Sequence, residues 1–100
     1  TVRRLILKLP RLGGFLPAVA LAQRFAAAGG DCVVTSSLES ACGLLAAAHL
    51  AAALGGDLAH GLATAEWLAT DLGAPPPVAA GYLTLPAGPG LGFQPFATPA

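Results

Sequence analysis

Apolar residues come in blocks along this chain, and the spacing inside the blocks changes. Leu5, Ile6 and Leu7 are continuous, which is how a strand covered on both faces reads. This predicts a strand over 2–8, ended by Pro10 and Gly13-Gly14. The next block predicts a helix over 15–28. Pro17 suits its first turn, Leu16, Val19, Ala20 and Gln23 recur at helical spacing, and Gly29-Gly30 closes it. A second strand follows over 31–35, β-branched at Val33, Val34 and Thr35. Ser37 or Ser40 can cap a second helix over 41–54. Leu44, Leu45, Ala48 and Ala52 form its apolar stripe, and Gly55-Gly56 ends it.

Beyond that point the pattern weakens. A brief strand is expected around 59–62 and a short helix over 64–72, carrying Trp67 and Leu68. Pro75-Pro76-Pro77 cannot be helix interior. Residues 81–86 (GYLTLP) alternate like a strand, and GPGLGF follows with turn chemistry.

Strand, helix, strand in this order makes a right-handed parallel crossover. The two strands should be neighbours, with their C-terminal ends at one edge of the sheet. Ligands bind at that edge in open sheets and barrels. The fold class expected is α/β: the C-terminal portion of a (β/α) barrel, incomplete on its own. Residues 1–72 would be its strand–helix units, and 73–100 a Pro/Gly-rich tail packing back on the rest of the protein.

Composition points the same way. Only 10% of the 100 residues are charged and 55% are hydrophobic, against a usual charged share of about 25%. A small domain exposes much of its surface and should carry more charge. Some faces are therefore expected to be covered by further protein. Net charge is zero, so no basic patch offers itself to nucleic acid. The apolar run 41–56 is short for a membrane span. Cys32 and Cys42 lack zinc-site spacing and read as reduced thiols in apolar surroundings. A cytoplasmic enzyme is the default expectation.

The candidate chemistry gathers at the two strand ends. Lys8 closes an apolar strand, so it reaches solvent, pairs with Glu39, or points into a site. Ser36 and Ser37 can cap a helix or offer hydroxyls and N–H groups to a carboxylate. Glu39 is expected in the first helical turn, where it favours the dipole. His49 reads as a packing or surface residue. His60, near the brief third strand, is a weak candidate at the same edge as Lys8.

Together these segments resemble a known family. LKLPRLGG, VVTSSLESACGLLAAAHLAAAL, HGLATAEWLATDL and GYLTLPAGPGLGF are similar to the C-terminal end of an enolase-superfamily barrel, nearest to o-succinylbenzoate synthases of menaquinone biosynthesis. The resemblance implies that Lys8 is the sixth-strand lysine that stabilises an enediolate. It implies that Ser36, Ser37 and Glu39 line the substrate pocket, and that Gly61 and Leu62 are the Gly-Leu of the eighth strand. The substrate implied is a small carboxylate, and the partners are the rest of the barrel and its capping domain. The tail would return to that capping domain.

A divalent metal, usually Mg2+, is implied for the full-length enzyme. Its carboxylate ligands and the Lys-x-Lys base belong to strands that this sequence does not contain, so no residue here is expected to ligate metal. Racemases, epimerases and cycloisomerases share the barrel and remain open as chemistries. A non-catalytic interaction module is the reading from another class.

Overall fold

A computed structural model describes residues 1–97. The element order is β1 (Arg4–Leu7), a 3-10 turn (Leu9–Arg11), α1 (Phe15–Ala27), β2 (Asp31–Val34) and α2 (Ala41–Leu54). A 3-10 turn (Ala65–Trp67) and the hairpin strands β3 (Val78–Ala79) and β4 (Tyr82–Leu83) follow. The fold is α/β, with two parallel strand–helix units and a short hairpin.

β1 and β2 are parallel neighbours, in the register Arg4↔Asp31 through Leu7↔Val34. Parallel neighbours one helix apart in sequence put both strand ends at one edge. At the opposite edge Arg4 grips Asp31 with two hydrogen bonds, 2.6 and 2.9 Å. The core lies between the sheet and the helices. Leu7, Val34, Leu44, Leu45 and Leu50 are its largest fully buried side chains. Each such burial stabilises by about 1.5–3 kcal/mol relative to exposure.

Several expectations change. β1 is shorter than 2–8, and Lys8 stands just beyond its end. It is not covered on both faces: Leu7 is buried while Ile6 is 55% exposed. α1 buries Ala18 and Ala22, with Leu21 half-buried, and leaves Leu16 exposed. Of the expected stripe Leu16, Val19, Ala20 and Gln23, only Val19 packs on the core, and the other three face away. α2 is buried on more than one side. Ala41, Ala47, Leu50 and Ala51 join Leu44, Leu45 and Ala48, and Ala52 is exposed.

The second cover on α2 is the tail. Leu83 and Leu85 pack on the core, and His49 Nε2 donates to the Leu91 carbonyl at 3.1 Å. His49 is thus a packing residue that ties helix to tail. Phe96 N–H donates to Leu72 O at 2.8 Å, closing the tail on the segment before it. Residues 98–100, which also belong to the expected tail, lie outside the described residues.

The helix expected over 64–72 is a single 3-10 turn, Ala65–Trp67. The segment is held by contacts with other parts of the chain instead of by its own ladder. The strand expected at 59–62 reduces to one parallel bridge, Thr35↔Gly61. The alternation at 81–86 yields only Tyr82–Leu83, paired antiparallel with Val78–Ala79. No described helix is long and apolar enough to cross a membrane.

Candidate functional site

Three chain segments end side by side at the C-terminal edge of the sheet. Thr35 N–H donates to Leu7 O, and Ser36 N–H to Gly61 O, both at 2.9 Å. Lys8, Thr35, Ser36 and Gly61 are therefore brought together by backbone pairing alone. Lys8 is half-buried. Its Nζ donates to Thr35 Oγ1 and to the Ser36 carbonyl, each at 2.9 Å. An ammonium has three donors, so one remains for a ligand. Of the alternatives weighed for Lys8, pairing with Glu39 does not form. Among the described residues the ion pair is Arg4–Asp31, at the other edge.

Ser36 is 7% exposed, and its hydroxyl shares a 2.7 Å hydrogen bond with Thr64 Oγ1. Ser37 is exposed, and its N–H donates to Glu39 Oε2 at 2.7 Å. Glu39 precedes the cap position Ser40 and so lies outside the first helical turn. Its carboxylate bends back over its own loop, and Oε1 is buried without a partner. The loop achieves this by placing Leu38 in the left-handed region, φ 62°. A non-glycine residue there stores about 1–3 kcal/mol of strain, a frequent feature of functional loops.

Neither expected serine caps α2. Ser40 occupies the cap position without a side-chain bond. Asp71 Oδ1 accepts instead from Ala41 N–H at 2.8 Å and from Leu72 N–H at 2.7 Å. A carboxylate can satisfy two N–H groups at once and also complements the helix dipole.

His60 takes a structural role here. Its Nδ1 accepts from Val34 N–H at 2.9 Å, which puts the ring proton on Nε2. The imidazole replaces the carbonyl that a full third strand would offer to β2. Burial pushes its proton affinity below the ordinary value, which keeps it a neutral acceptor. Both cysteines are free and half-buried. Burial, and then the neighbouring Asp31, raise the Cys32 thiol, which leaves it protonated and unreactive.

The sequence reading passed over Thr35, Thr64, Leu38 and Asp71. Thr35 carried a signal, because it is the last residue of the strand whose end already held the candidates. Asp71 carried none, since nothing local links it to residue 41.

A Mg2+ ion needs several converging oxygen ligands. Among the described residues no group of three or more His, Cys, Asp or Glu side chains converges. Glu39 and Asp71 each spend one oxygen on backbone N–H groups and bury the other unpartnered. These residues do not make a magnesium site by themselves. A groove of about 640 Å3 lies elsewhere, between α2 and the β3–β4 hairpin, and its lining is largely apolar (Ala48, Ala51, Leu62, Leu83 and Leu85 among others). Lys8 and the Ser36–Glu39 loop do not border it.

A family model described as enolase C-terminal domain-like matches residues 2–97. No curated protein and no solved structure matches the chain.

Proposed function

The chain belongs to the enolase C-terminal domain-like family, and on that premise we propose that it supplies part of an active site of o-succinylbenzoate synthase type. Enzymes of this superfamily are lyases, racemases and isomerases, and they generally use Mg2+. The proposed reaction dehydrates a cyclohexadiene carboxylate: a proton α to the carboxylate leaves, and hydroxide follows. The base and the metal ligands lie on segments that precede this one in the barrel.

One observation carries the reading. Lys8 is a half-buried ammonium that no carboxylate among the described residues neutralises, held at the strand-end edge by two neutral acceptors. A charge left unneutralised beside a sheet edge is suited to an anion that develops during reaction. Loss of the α proton creates such an anion on the carboxylate oxygens. A fixed ammonium stabilises it without having to reorganise. Exposed Ser37, at the same edge, is proposed to meet the substrate carboxylate, while Ser36, Glu39 and Gly61 shape the edge around it.

The test uses the complete enzyme in deuterated buffer. Substrates are a cyclohexadiene carboxylate and both enantiomers of an N-acylamino acid. Dehydration with Lys8-dependent turnover is the expected result. Enantiomer-selective loss of α-proton exchange in Lys8→Ala would instead identify a two-base racemase. Unchanged turnover in Lys8→Ala on every substrate would exclude any catalytic part for Lys8.

A further inference from the structure

The lysine at this edge is only as well placed as its acceptors. One of them, the Ser36 carbonyl, is fixed by the backbone, because Ser36 N–H is bonded to Gly61 O. The other is a hydroxyl on a rotatable side chain. Thr35 has three staggered χ1 wells, and a β-branched residue holds whichever its surroundings allow. Its surroundings are given by Gly61. A Cβ built at Gly61 would stand 2.9 Å from Thr35 Cγ2 and 3.3 Å from Thr35 Cβ. The Thr35 methyl thus occupies the space that any side chain at 61 would need. With the methyl seated there, Oγ1 is left facing Lys8, 2.9 Å from Nζ.

We propose that Thr35 is the positioning residue of Lys8, and that Gly61 acts through Thr35, as the notch that seats its methyl, and not on a ligand. This rests on the reading of Lys8 as the group that faces developing charge. It adds that the placement of Lys8 is set by a side chain on the neighbouring strand and by a missing side chain on the segment beyond.

Lys8 is the one lysine among these 100 residues, so a peptide from this segment reports its amine alone, without using turnover. The complete protein is treated with a limiting acetylating reagent at fixed pH. The rate at Lys8 is read by peptide mass spectrometry, with circular dichroism as the check on fold. A hydrogen bond from a charged group is worth enough that Thr35→Val should raise the rate about threefold to tenfold. Thr35→Ser keeps the hydroxyl and should stay within about twofold of wild type. Gly61→Ala displaces the methyl and should behave like Thr35→Val. Combining Gly61→Ala with Thr35→Ser frees the notch and should return the rate towards wild type. Should Thr35→Val not fold, Thr35→Ala is read in the same way.

A wild-type rate in the hydroxyl-free variant overturns the proposal. So does a double variant as reactive as Gly61→Ala alone. Failure of the functional reading looks different: Lys8→Ala would then turn over normally, while the acetylation rates would still order as above.

Discussion

Asp71 Oδ1 lies 2.8 Å from the backbone nitrogen of Ala41, so α2 is capped by a residue thirty positions downstream. The serine at the cap position, Ser40, makes no side-chain cap bond. The irregular segment that carries Asp71 is thereby tied to the N-terminus of α2.

The cap predicts an unusual asymmetry. Asp71→Ala should destabilise the protein by about 1–2 kcal/mol, as loss of a helix cap does. Ser40→Ala, the substitution that local sequence would mark as damaging, should cost less than about 0.5 kcal/mol. Urea midpoints of the two variants check the order. Equal losses would show that Asp71 is not the cap.

His60 predicts a pH dependence. Its folded-state proton affinity lies below the ordinary 6.5 because the ring is buried. The unfolded chain therefore takes up a proton first as pH falls. Stability from this group is fully present above about pH 6.5 and is lost as pH drops below it towards the lowered folded value. Protonation of Nδ1 would also remove the acceptor of Val34 N–H. The urea midpoint should fall between about pH 7.5 and 5.5. His60→Asn, which keeps an acceptor but does not titrate, should flatten that slope.

Gly43 predicts a reversal of helix propensity. Glycine to alanine in a helix ordinarily gains about 1 kcal/mol. Here the new Cβ would lie 2.8 Å from Glu39 Cβ and 2.9 Å from Glu39 Cγ. These are the near atoms of the side chain, so the whole loop has to shift. Gly43→Ala should lose about 1–3 kcal/mol. In a Glu39→Gly background Gly43→Ala should regain its usual benefit, because both clashing atoms, Cβ and Cγ, are gone. Thermal melts of the single and double variants measure this coupling.

Lys8→Ala in the complete enzyme should lower turnover by about 10²–10³, the usual loss for one preorganised charge. The far-ultraviolet spectrum should stay unchanged. Lys8→Arg should not fully restore turnover. A planar guanidinium cannot reproduce an ammonium that meets Thr35 Oγ1 and the Ser36 carbonyl together.

The sequence alone determined the two strand–helix units. Their boundaries at 15 and at 41–54 follow from local causes: apolar spacing, Pro17, and the glycines after each helix. Chain order then required both strand ends to share one edge, which is why Lys8 and Ser36 are expected together from the sequence and meet in the fold. The tertiary structure decided what covers and completes those ends. The Thr35 hydroxyl on Lys8, the His60 imidazole on Val34 and the Asp71 carboxylate on Ala41 join residues 26 to 30 positions apart. No periodicity encodes such pairs. A buried N–H or ammonium requires an acceptor, but local sequence does not say which one. The tertiary packing chose them, where the third segment lies too irregularly to offer a full strand and side chains take the place of its backbone.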